Sequence, residues 1–165
     1  MTASAKPLTH ELRITRVFDA PRELVFEVWT KPEHQVHWMG PTDFTVPSCE
    51  IDFRVGGAYR TCIVEPTGVE YWMGGVYREI VVPEKLVFSF AWEEEGERGM
   101  ENLITLQFFD EGGKNSGKTR FEFLQTPFQS VEERDGHNGG WTQCFERLAA
   151  YLLTGTIAAN AGEKI

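Results

Sequence analysis

Apolar residues return at helical spacing near the C-terminal end of the chain, where Trp141, Cys144, Phe145, Leu148, Ala149 and Leu152 form one stripe. Gly136, Gly139 and Gly140 stand before or inside that stripe, where each costs a helix roughly 1 kcal/mol relative to Ala. A helix that keeps such glycines is expected to have a sheet or a ligand close beside it. Ser130 and Glu133 have the spacing of a capping box at its start, and Gly155 follows its last apolar turn as a stop.

Upstream, Glu11 to Phe18 alternates, with Leu12, Ile14 and Arg16 on one side and Arg13, Thr15 and Val17 on the other, which predicts a first strand. Asp19-Ala-Pro21 opens a helix with Pro at an early position, and Leu24, Val25, Val28 and Trp29 give it an apolar face. Thr30-Lys-Pro32 breaks it. A second short helix runs from Pro32 to about Met39, and Gly40-Pro41 ends it. From Asp43 to Gln125 the pattern is β: strands over 44–55, Tyr59–Glu65, Tyr71–Val82, Leu86–Trp92, Leu103–Phe109 and Thr119–Thr126. The phase of alternation slips at Pro47, which predicts a bulge or an edge. Pro83-Glu-Lys85 separates two of the strands, and the acidic run Glu93–Gly99 reads as a loop. Such short connections favour antiparallel meanders. The predicted order is β-α-α-β6-α, an α+β domain in which the last helix covers one face of a seven-stranded antiparallel sheet. A single domain over 10–154 is expected, with an arm at 1–9 and a frayed tail at 155–165.

Composition narrows the function classes. Sixteen Lys and Arg against 25 Asp and Glu give a net charge of −9, which argues against sequence-independent nucleic-acid or anionic-membrane binding. Cys49, Cys62 and Cys144 are an odd count without Cys-x-x-Cys spacing, which disfavours a disulfide framework and a thiolate zinc site. No apolar run approaches the ~20 residues a membrane helix needs, and the first ten residues lack the apolar core of a signal peptide. A cytoplasmic protein without membrane insertion is expected. Aromatic residues reach 13% of the chain, a high share that suits a pocket wall and a core equally.

Six stretches together resemble a known family. They are Phe18-Asp-Ala-Pro-Arg-Glu-Leu-Val-Phe-Glu-Val-Trp29, Pro32-Glu33 through Trp38, Val55-Gly-Gly-Ala-Tyr-Arg60, Gly75-Val-Tyr-Arg-Glu-Ile80, Pro83-Glu-Lys-Leu-Val-Phe-Ser-Phe90, and His137-Asn-Gly-Gly-Trp141 followed by Leu148 and Tyr151-Leu152. In this order they are similar to the START-like (SRPBCC) superfamily, in the branch of the C-terminal domain of the activator of heat-shock-protein-90 ATPase. The resemblance implies a helix-grip fold, a curved sheet gripping a long C-terminal helix with a hydrophobic cavity between them. It also implies a choice among ligand carrier, enzyme and co-chaperone, since one fold hosts many functions. The eukaryotic co-chaperone carries an additional N-terminal domain, so the expectation here leans away from chaperone activation.

The favoured reading is binding of a small hydrophobic or aromatic molecule in a cavity lined by Trp38, Tyr59, Trp72, His137, Trp141 and Phe145. His137 lies four residues before Trp141, on the same helical face, and is the one candidate acid or base for the alternative, a cyclase- or hydrolase-type enzyme. That alternative needs a second polar group, with Arg60, Tyr59 and Arg54 as candidates. The plainer expectation for His137 is a hydrogen bond to a neighbouring strand or loop. Gly139 and Gly140 are expected to be close-packing positions. His34 and His37 are three apart on a short helix but lack a third ligand, so no metal and no cofactor is expected. A chaperone is the remaining candidate partner.

Overall fold

The computed structural model describes residues 10–94 and 97–154; the expected arm, the tail and the Gly155 stop lie outside them. The elements run β1 (His10–Phe18), α1 (Arg22–Glu27), α2 (Pro32–Gln35), β2 (Thr45–Ile51), β3 (Ala58–Val64), β4 (Glu70–Val81), β5 (Lys85–Glu94), β6 (Glu97–Arg98), β7 (Asn102–Asp110), β8 (Thr119–Phe128) and α3 (Val131–Leu152). The strands form one antiparallel sheet in the order β1-β8-β7-β5-β4-β3-β2, with β6 paired only to β5. This is the helix-grip arrangement expected from the sequence. One correction concerns Glu93–Gly99, expected as a loop: Glu93 pairs with Arg98 and Glu94 with Glu97 in an antiparallel ladder, so these four residues are β.

Alternation decides which face each strand buries. Leu12 and Phe18 of β1, Ile104, Leu106 and Phe108 of β7, and Phe121 and Phe123 of β8 are all buried on the concave side. Val17 on the opposite face of β1 is exposed. The phase slip at Pro47 appears as a register shift between Thr45 and Ser48 in the β2–β3 ladder. A second shift lies between Tyr77 and Glu79 on β4. Just before it, Gly75 has no room for a side chain, because a Cβ there would stand 1.9 Å from the Ser89 carbonyl oxygen.

The N-terminal helices cover the middle of the sheet. Val25, Phe26, Val28 and Trp29 are buried; Leu24 is only half-buried, so Phe26 takes the place expected of it. Trp29 reaches the centre of the core, stacking on Phe121 at 5.8 Å and meeting Trp38 edge-on at 4.7 Å. α2 turns into the next segment at Gly40, whose φ of +99° suits glycine.

α3 begins at Ser130, whose hydroxyl accepts from the Glu133 N–H at 3.0 Å, while the Glu133 carboxylate accepts from the Gln129 N–H at 3.2 Å. The capping box is thus closed one residue further upstream than in its usual form. Trp141, Cys144, Phe145, Leu148 and Leu152 are the buried stripe. Phe145 packs on Phe121 at 5.1 Å and on Phe123 at 5.5 Å, which seats the second half of α3 over β8. Burying each such ring contributes about 2–3 kcal/mol.

Candidate ligand-binding site

The first half of α3 does not follow the second onto the sheet. From Val131 to Gly140 it buries no residue fully. Beneath it an open cavity of about 210 Å³ extends to the sheet. Its roof is Gly136, His137, Gly140, Trp141 and Cys144; one wall is Met39, Gly40, Pro41 and Phe44; its floor is Ile63, Tyr71, Met73, Phe90 and Trp92 from β3, β4 and β5.

The helical glycines make this space. A Cβ at Gly136 or Gly139 would meet no atom within 4 Å, and one at Gly140 only Pro41 at 3.8 Å. The expected close packing at Gly139 and Gly140 is therefore corrected: Gly136 and Gly140 are missing roof, and Gly139 faces open space. Glycine tolerates crowding and vacancy alike, and here it serves vacancy.

The wall is held to the roof by polar contacts. One guanidinium nitrogen of Arg147 donates to the carbonyls of Met39, Gly40 and Pro41 at 3.0–3.1 Å. The Gln143 side chain accepts from the Thr42 N–H at 3.0 Å. Trp141 is fixed from behind: its indole N–H donates to Gln125 Oε1 at 2.9 Å, and Gln125 Nε2 donates to Asn102 Oδ1 at 3.0 Å. Gln125 is fully buried, and this relay satisfies it.

His137 accepts from the Trp92 indole N–H through Nε2 at 3.1 Å. That bond ties α3 to β5, as the plainer sequence reading expected, and places the proton of the neutral ring on Nδ1. Burial pushes the His137 pKa below its ordinary value, with Glu133 one turn earlier opposing. The neutral ring is the form the site favours. Its Nδ1–H finds no partner among the described residues. Cys144, at the far end of the roof, contacts the Trp38 carbonyl at 3.5 Å, and burial pushes its thiol up to about 12, so it offers no thiolate.

Of the residues expected to line a cavity, His137 and Trp141 do so. Tyr59 does not reach it; its hydroxyl donates to the Ser89 carbonyl at 2.7 Å and its ring lies deeper. Trp38 and Phe145 are fully buried in the core. Trp72 stands on the opposite face of β4, with the Arg60 guanidinium 3.9 Å above its ring. The rest of the lining, outside the six residues expected, is Met39, Phe44, Ile63, Tyr71, Met73, Phe90 and Trp92; of these only Tyr71 and Trp92 stood out in the sequence as aromatic wall candidates. Parity offered part of it, since Tyr71 and Met73 share a face that excludes Trp72, and Phe90 and Trp92 share another.

The partners proposed for an acid–base mechanism do not meet His137. Arg54 pairs with Asp52 at 2.9 Å on the surface, and Arg60 is held by Glu93 at 2.7 Å. His34 and His37 do not converge on a common point either. His34 is buried between the Tyr151 hydroxyl at 2.8 Å and the Glu27 carboxylate at 3.4 Å, whereas His37 is exposed and stacks on Tyr151. Among the described residues no three His, Cys, Asp or Glu side chains group as metal ligands, and no helix is long and apolar enough to cross a membrane.

An antiparallel sheet gripping a long helix, with an apolar pocket under the helix, defines a domain of the START-like superfamily. Over residues 19–153 the sequence matches the family described as Activator of Hsp90 ATPase homolog 1-like protein, and the chain belongs to that family. Solved structures share the fold. An AHSA1 protein from Silicibacter pomeroyi is 23% identical, with a TM-score of 0.76 over 87% of this chain and 97% of that one. A protein from Chromobacterium violaceum is 24% identical, with a TM-score of 0.72 over 86% and 96%. One from Mycobacterium smegmatis is 19% identical, with a TM-score of 0.72 over 89% and 92%. At these identities the likeness is one of fold alone. No curated protein matches the chain.

Proposed function

We propose that this protein binds a small, flat, hydrophobic or aromatic molecule between the first half of α3 and strands β3–β5, in a cytoplasmic setting that suits its three free cysteines. The observation that carries the reading is the apolar cavity of about 210 Å³ roofed by glycines. An apolar cavity of about 150 Å³ holds a benzene molecule, so this one suits one or two fused rings. Phe44, Phe90, Trp92 and Trp141 supply ring faces, and the indole N–H groups of the two tryptophans are engaged elsewhere, at His137 and Gln125. His137 Nδ1–H supplies one hydrogen-bond donor for an acceptor atom on the ligand. A binding role is favoured over an acid–base enzyme, because Arg54, Arg60 and Tyr59 are each engaged away from His137.

Native mass spectrometry of the purified protein should find a retained small molecule, or saturable uptake of added naphthalene. Gly140→Leu, which places a branched side chain in the roof, should abolish either one while the protein stays folded. Uptake that is unchanged in Gly140→Leu would sink this reading.

A further inference from the structure

Behind the cavity floor lies a second void of about 20 Å³, room for one water. Met39, Met73, Phe90 and Trp141 line both spaces, so the partition between them is one side chain thick. Trp141 is pinned by Gln125, but the methionines are unbranched and adaptable.

The polar groups around the rear void divide into two sets. Gln35, Thr61 and Tyr59 are engaged. The Thr61 hydroxyl contacts Cys49 Sγ, Cys49 contacts Gln35 Oε1, both at 3.8 Å, and Gln35 Nε2 donates to the Trp29 carbonyl at 2.6 Å. Tyr59 donates to Ser89. One donor is left over: the Tyr77 hydroxyl makes no hydrogen bond to any described residue, although Tyr77 is 4% exposed and lines the void. A donor so enclosed and without a partner calls for an acceptor. No Lys or Arg lines the void, and burial pushes the Tyr77 pKa far up. A carboxylate would therefore be desolvated there without a counter-charge, whereas a neutral oxygen would not.

We infer that the ligand carries a neutral carbonyl or ether-type oxygen at one end, which passes between Met39 and Met73 and accepts a hydrogen bond from Tyr77 in the rear void. This rests on the reading of the front cavity as an aromatic site, and it narrows the ligand class to neutral aromatic molecules with a terminal acceptor.

Isothermal titration with 2-acetylnaphthalene and 2-isopropenylnaphthalene tests it, since the second places a CH2 group where the ketone has its oxygen and is otherwise close in shape. The wild-type protein is expected to bind the ketone about tenfold more tightly, the scale of one buried hydrogen bond. In Tyr77→Phe the ratio of affinities should fall to about one. In Met73→Ile, which stiffens the partition with a β-branched side chain, it should fall likewise, and this variant decides the matter if circular dichroism shows Tyr77→Phe unfolded. Equal binding of both compounds by the wild type overturns the inference and leaves the front cavity standing. A preference that survives in Tyr77→Phe also overturns it, by placing the oxygen elsewhere, as at His137. Binding of neither compound overturns both readings.

Discussion

From Trp141 to Leu152, α3 buries a residue at nearly every return to the sheet; from Val131 to Gly140 it buries none fully. The backbone is one continuous helix, so the contrast is made entirely by side chains. The second half carries rings and Leu that fill the concave face of β8 and β1. The first half carries glycines and polar residues, and it is held in place by what surrounds it: the Ser130 cap, the His137–Trp92 bond and the Gln125 anchor under Trp141. One half stabilises the fold, and the other forgoes stability to leave a space. A roof built of Ala and Leu would make a better helix and no cavity.

That contrast can be broken most forcefully in the second half. Phe145→Ala should lower the unfolding free energy by ~3–5 kcal/mol in a urea titration, since its ring is fully buried against Phe121 and Phe123. An effect below about 1 kcal/mol would show that the second half is not core in solution. Ser130→Ala, at the opposite end, should cost only about 1 kcal/mol by the same titration, because it removes a cap on an exposed turn. Gly139→Ala should raise stability by about 0.5–1 kcal/mol, because open space surrounds it and Ala is the better helix former. Gly136→Ala should give a similar gain but weaken naphthalene uptake, since it lines the cavity. If the Gly136 and Gly139 variants change uptake equally, the roof is not where the structure puts it.

The smallest expected effect is on pH dependence. Burial depresses the His137 pKa, so the folded state binds this proton less readily than the unfolded state. Its contribution is therefore fully present above the unfolded value of 6.5 and is lost as pH falls below it toward the folded pKa. Thermal melts from pH 7 down to pH 5 should show the wild type losing stability faster than His137→Gln. Parallel curves would mean that His137 is solvated in the folded state.

The sequence spoke clearly where burial is periodic. The alternating strands, the bulge at Pro47, the Ser130 cap and the stripe from Trp141 to Leu152 were all legible, because each follows from a local spacing. The cavity was legible only in outline. His137 and Trp141 are neighbours on one helical face, so their joint position followed from a four-residue step. Trp92 and Trp72 both lie in strands that carry apolar residues on both faces, and choosing between them required the register of β4 and β5, which is a tertiary fact. Trp38 and Phe145 are as aromatic as any ligand wall, but neighbours distant in sequence enclose them. The glycines were misleading for another reason: a missing side chain leaves the same trace whether a neighbour crowds it or nothing is there.

The Trp92–His137 bond joins a fluorophore to a titratable ring at the edge of the cavity. Protonation of His137 would remove the acceptor and place a positive charge beside the indole, and a docked ring would exclude water from the same pair. One of the protein's five tryptophans thus sits where occupancy and proton uptake both reach its excited state. Subtracting the emission spectrum of Trp92→Phe from that of the wild type should isolate it, giving an intrinsic optical gauge of the site that needs no label and responds whatever the chemical identity of the bound molecule.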